Sequence, residues 1–69
     1  MRQAEILKIA LADRDGWVER WPDTAAAGDR LVARGLFRHG RKPDDRLRVT
    51  ATAPPGFFIT DAGTAAASG

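Results

Sequence analysis

The stretch Asp23-Thr24-Ala25-Ala26-Ala27-Gly28-Asp29-Arg30-Leu31-Val32-Ala33-Arg34-Gly35-Leu36-Phe37 decides how this chain is read. Asp23 or Thr24 can cap a helix that runs to about Arg34, and Gly35 stops it. Wound at the helical period, Ala25, Ala27, Gly28, Leu31, Val32 and Gly35 share an inner face, while Ala26, Asp29, Arg30, Ala33 and Arg34 share an outer one. A mid-helix glycine costs about 1 kcal/mol relative to alanine. Gly28 therefore either permits a close neighbour or marks a turn that splits off a stub from Thr24 to Ala27; close packing is the reading adopted. Arg30 and Arg34 are like charges one turn apart, which weakens the free helix by roughly a few tenths of a kcal/mol. An anionic partner reverses that sign.

Outward from this helix the pattern alternates between periods. From Arg2 to Asp13 it is helical, with Ile6, Leu7 and Ala10, flanked by Ile9 and Leu11, on one side and Glu5, Lys8 and Ala12 on the other. Gly16 is expected to stop that helix in the left-handed conformation. Trp17 to Trp21 reads as a short strand with Trp17, Glu19 and Trp21 on one face, ended by Pro22. The two tryptophans are read as core or rim packing, with an aromatic platform for bases as the alternative. Beyond Phe37 a polar turn, Gly40-Arg41-Lys42-Pro43-Asp44-Asp45, precedes a period-two run from Arg46 to Ala53 with Leu47, Val49, Ala51 and Ala53 inward. Pro54-Pro55-Gly56 is expected to turn the chain into a return strand, Phe57 to Ile59, that pairs with Arg46 to Ala53. Thr60 or Asp61 can cap a last short helical turn through Ala62, Ala65 and Ala66, with Ser68 and Gly69 fraying. The expected class is α+β: helix, strand, helix, then an antiparallel β-hairpin and a short C-terminal helical turn.

With 69 residues there is room for one small core, so a single domain over residues 1–69 is expected, its tail frayed from about residue 67. Hydrophobic residues make up 43% and charged residues 29%, a globular balance. Thirteen of the hydrophobic residues are alanine, which leaves a thin set of larger side chains and an expected net stability of only ~3–5 kcal/mol. The absence of cysteine excludes disulfides and thiolate metal sites and makes the cytoplasm the default compartment. Ile6 to Ala12, the one long apolar stretch, is interrupted by Lys8 and too short to span a bilayer, so no membrane partner is expected.

Two local strings carry a family resemblance. Leu31-Val32-Ala33-Arg34-Gly35-Leu36-Phe37-Arg38 resembles the end of the recognition helix and the start of the wing in MarR-like winged helix-turn-helix regulators, and Phe58-Ile59-Thr60-Asp61-Ala62-Gly63 resembles the return strand of the wing and the corner that follows it. The resemblance spans roughly the second half of the chain and implies a winged-helix-like fold, DNA binding and transcription regulation. Two departures accompany it. Only Trp17 to Asp23 lies between the strand start and the second helix, so the positioning helix is missing or reduced to the Thr24 to Ala27 stub. The long C-terminal helix through which those regulators dimerise is absent, and a monomer or weak dimer is expected.

The charge pattern points the same way. Between Arg30 and Arg48, seven basic residues (Arg30, Arg34, Arg38, Arg41, Lys42, Arg46 and Arg48) stand against Asp44 and Asp45, a local charge of +5 with His39 among them. Elsewhere four basic residues face seven acidic ones, a charge of −3. Such segregation attracts polyanions locally while the acidic remainder limits indiscriminate binding. Catalytic chemistry is not evident: Ser68 lies in the tail, His39 in a basic turn, and Asp44 and Asp45 suit a turn better than an acid/base pair. One histidine without cysteine makes no ordinary zinc site, and no glycine pattern fits a phosphate loop. No catalytic residue, metal, cofactor or small-molecule substrate is expected.

The leading expectation is therefore a non-enzymatic DNA-binding module. Arg30 and Arg34, set among the small Ala26 and Ala33, approach a groove, while Arg38, Arg41, Lys42, Arg46 and Arg48 contact phosphate. The alternative is a protein-interaction module docking through the same arginine-rich face or the exposed aromatics, a role that suits a phage or mobile-element accessory or inhibitor protein in bacteria.

Overall fold

A computed structural model describes residues 1–42 and 53–68. The described elements are α1 (Gln3–Ala12), β1 (Trp17–Glu19), α2 (Ala25–Ala33), β2 (Phe37–Arg41), β3 (Pro55–Ile59) and α3 (Asp61–Ser68), an α+β arrangement. The strands form one antiparallel sheet in the order β1-β3-β2.

The first two helices bury the centre of the stripe their sequence period dictates, while Gly35, assigned to the inner face of α2, is exposed because it lies beyond the helix end. Ile6, Leu7 and Ala10 of α1 are buried, as are Ala27, Gly28 and Leu31 of α2, whereas Ala26, Asp29, Arg30, Ala33 and Arg34 are exposed. Ile9 and Leu11, expected to flank the inner stripe of α1, are exposed instead, since a stripe three positions wide already covers the sheet. These stripes meet Val18, Phe37 and Phe57 from one face of the sheet, and Leu36 completes the cluster. α2 is continuous through Gly28, where an added Cβ would overlap the ring of Phe57, so the glycine serves close packing and no stub separates. The close neighbour is the sheet.

The chain reversals are fixed by hydrogen bonds. α1 ends at Ala12, and Asp13 bridges into β1 by accepting from the amides of Asp15 and Trp17 at 2.9 and 3.0 Å. Gly16, at φ +66°, lies in that turn and not at the helix terminus where the sequence suggests it. α2 closes as expected. The amide of Gly35 (φ +77°) donates to the Val32 carbonyl and that of Leu36 to the Leu31 carbonyl, the paired bonds of a Schellman motif, which only a left-handed residue permits. At the other end of α2 the Thr24 hydroxyl does not cap. It is buried, accepts from the Trp21 amide at 2.7 Å and donates to the Glu19 carbonyl at 2.9 Å, tying the helix start back to β1.

The hairpin differs from its expected composition. Phe57 to Ile59 pairs with Phe37 to His39 of β2, while Phe57 and Phe58 pair with Val18 and Trp17 of β1 on the opposite side. Both edges of β3 are thus taken by β1 and β2, whereas the sequence suggests Arg46 to Ala53 as its partner. Residues 46–52 lie outside those described. Pro54-Pro55-Gly56 is not the turn: Pro55 and Gly56 are β3 residues opposite Arg41 and Gly40, and proline is tolerated because it opens the strand. Gly40 and Arg41, assigned from the sequence to a polar turn, are accordingly strand residues. β1 also stops at Glu19, leaving Trp21 beyond it in the approach to α2 and 56% exposed, whereas Trp17 is 9% exposed.

α3 is a two-turn helix rather than a single turn, and it packs on α1. Thr60 caps it by accepting from the Gly63 amide at 3.1 Å. The Thr60 hydroxyl also donates to the Gly35 carbonyl at 2.7 Å, and its amide donates to the Leu36 carbonyl at 3.0 Å. Thus the stop of α2 and the corner before α3 are one hydrogen-bonded joint. Among the described residues no helix is long and apolar enough to cross a membrane.

Candidate nucleic-acid interface

The basic residues singled out in the sequence fall in three places. Arg30 sits on the exposed side of α2 and Arg34 just past its last residue, also exposed. Arg38 belongs to the sheet face turned away from the helices, because it pairs with Phe58, which pairs in turn with Trp17. Its guanidinium lies 4.6 Å from the centroid of the Phe58 ring, a cation–π contact. Arg41 and Lys42 stand together at the far end of β2. There the Arg41 guanidinium donates to the Ala53 carbonyl at 2.8 Å and the Lys42 amide to the Pro54 carbonyl at 2.9 Å. Arg46 and Arg48 lie outside the described residues, as do Asp44 and Asp45.

The exposed side of α2 is more cationic than its sequence suggests. Asp29 is the one acidic residue of the helix, and Arg20 holds it through two guanidinium bonds of 3.2 and 2.8 Å. This fork neutralises the carboxylate with a charge from outside the helix, leaving Arg30 and Arg34 as the uncompensated charges beside Ala26 and Ala33. Arg20 has no helical or strand period linking it to Asp29, so no local signal in the sequence identifies its role. Arg34 is in turn oriented by a bond of 2.8 Å to Oε1 of Gln3 on α1.

The opposite sheet face is aromatic. Trp17 lies against Gly56, where an added Cβ would overlap its indole, and Nε1 donates to the Gly40 carbonyl at 3.1 Å. With its donor satisfied and its surface largely covered, Trp17 is a packing residue and leaves little surface for stacked bases. His39 lies in β2 and not in a turn; it is exposed, with its ring 5.3 Å from that of Phe57. Ser68 is the last residue of α3.

Small three-stranded α+β proteins define the class to which this chain belongs by its architecture. No family model, curated protein or solved structure matches the chain.

Proposed function

We propose that the chain is a DNA-binding module of winged-helix type and acts as a small transcriptional regulator. The exposed side of α2 lies at a groove and the β2–β3 hairpin bears on the backbone. The observation that carries this reading is the Arg20–Asp29 fork, which spends an arginine from β1's end to remove the negative charge from α2's outer side. The small Ala26 and Ala33 then let that side approach closely, with Arg30, and Arg34 as steadied by Gln3, reaching phosphate or a guanine edge. The Thr60–Gly35 hydrogen bond joins the two segments on which the family resemblance rests.

A titration of labelled duplex DNA followed by fluorescence anisotropy at several salt concentrations tests the reading. Neutralisation of roughly four to six phosphates gives a slope of log affinity on log salt of about −4 to −5. Absence of binding at low salt and micromolar protein would discard it in favour of a protein-docking module. That second reading draws on one observation, the exposed indole of Trp21, a side chain of the kind that anchors protein interfaces.

A further inference from the structure

An open cleft of about 400 Å³ runs between the first turn of α1 and the outer part of α2, lined by Met1, Arg2, Gln3, Ala26, Ala27 and Arg30. We infer that this cleft is a phosphodiester site, in which Arg2 and Arg30 grip one phosphate of a DNA backbone and the amide of Gln3 supplies a third donor. The inference rests on the DNA-binding reading and adds to it a contact from α1, which the charge pattern of the sequence assigns to the acidic part of the chain.

The chemistry of the lining argues for a phosphate. Among the described residues neither Arg2 nor Arg30 is held in an ion pair or a side-chain hydrogen bond, so both guanidinium groups retain their donors. Gln3 spends its acceptor, because Oε1 takes the bond from Arg34. What Gln3 can still offer the cleft is its amide N–H. The polar side chains of the lining are therefore all donors, two of them charged, and a group with acceptor oxygens only and a negative charge satisfies them. Neither Glu5 nor Asp23 lines the cleft, and Asp29 is withdrawn by Arg20. Ala26 and Ala27 make the remaining wall low and apolar, which admits a deoxyribose beside its phosphate. A volume of about 400 Å³ lies at the lower end of the range of small-ligand sites, roughly 300–1,000 Å³. Arg34 is then a positioning residue for the site, acting through Gln3.

Duplex binding by Arg2→Gln, Gln3→Glu, Arg2→Lys and Lys8→Gln, measured by anisotropy across salt concentrations, tests this. Lys8→Gln removes one charge from the exposed side of α1 outside the cleft and serves as the control, and circular dichroism verifies that each variant is folded. Arg2→Gln should weaken binding about 5- to 10-fold at low salt and make the salt slope shallower by about 0.9, the value of one phosphate contact. Gln3→Glu should weaken it at least as much, Arg2→Lys should restore the slope, and Lys8→Gln should stay within about twofold of the parent. If Arg2→Gln and Gln3→Glu match Lys8→Gln while Arg30→Ala weakens binding, the cleft site is overturned and the α2 reading stands. If the parent protein binds no duplex, both fall. Should inorganic phosphate alone shift the amide resonances of residues 2–4 and 26–30 while Arg2→Gln binds DNA normally, the cleft would be a free-anion site and the assignment to the DNA backbone would be wrong.

Discussion

At the scale of single residues, Gly28 and Thr24 are under tight constraint for reasons that lie outside their own helix. Gly28 faces the ring of Phe57, which is wholly buried and stacks on Phe37 at a centroid distance of 5.7 Å, so the ring has nowhere to retreat. Alanine there gains about 1 kcal/mol of helix propensity, but overpacking of a filled core costs roughly 1–3 kcal/mol. Gly28→Ala is therefore expected to lower the midpoint of urea unfolding, the reverse of the outcome at an ordinary helical glycine. Thr24 is the single buried polar side chain among the described residues, and its hydroxyl serves both the Trp21 amide and the Glu19 carbonyl. Thr24→Val preserves the shape and strands both backbone groups, a loss of about 1–3 kcal/mol by the same measurement. A Thr24→Val protein as stable as the parent would show that water replaces the hydroxyl at no cost.

At the scale of elements, α2 is the piece on which both fold and proposed function depend. Its inner stripe is anchored by Leu31, fully buried among α1, the sheet and Leu36. Leu31→Ala should cost about 2–5 kcal/mol, enough to unfold much of a protein whose net stability is ~3–5 kcal/mol. A melting temperature within a degree or two of the parent would mean that the helix is packed on another face. The outer side of α2 is tuned by elements distant in sequence, since Arg20 reaches Asp29 and Gln3 reaches Arg34. The orientation of Arg34 and the neutralisation of Asp29 therefore depend on α1 and β1 being docked.

At the scale of the whole molecule, the basic residues divide between α2, the outer sheet face and the far end of the hairpin. Arg41 at the hairpin end, where the Ala53 carbonyl steadies it, should act as a backbone contact. Arg41→Ala is expected to weaken binding to all duplex sequences alike and to make the salt slope shallower by about one unit, whereas Arg30→Ala should also change sequence preference if its guanidinium meets a base edge. Comparing a specific and a mixed duplex by anisotropy separates the two. What the sequence by itself determined about this protein is local: the centres of the buried stripes of α1 and α2, the glycine stop at Gly35, a cap at Thr60 or Asp61 and the α+β class. Each follows from side chains within one or two turns of one another. The partners of β3 were decided only by the tertiary structure, because period-two alternation states which residues face inward and not which strand lies alongside. Phe57 to Ile59 could be read as a strand but not as the central one, and the proline pair that suggests a turn is equally compatible with the start of a strand. The same holds for the charges: the Arg20–Asp29 fork and the Arg34–Gln3 bond join residues 9 and 31 positions apart, and such pairs exist only once packing brings their elements together.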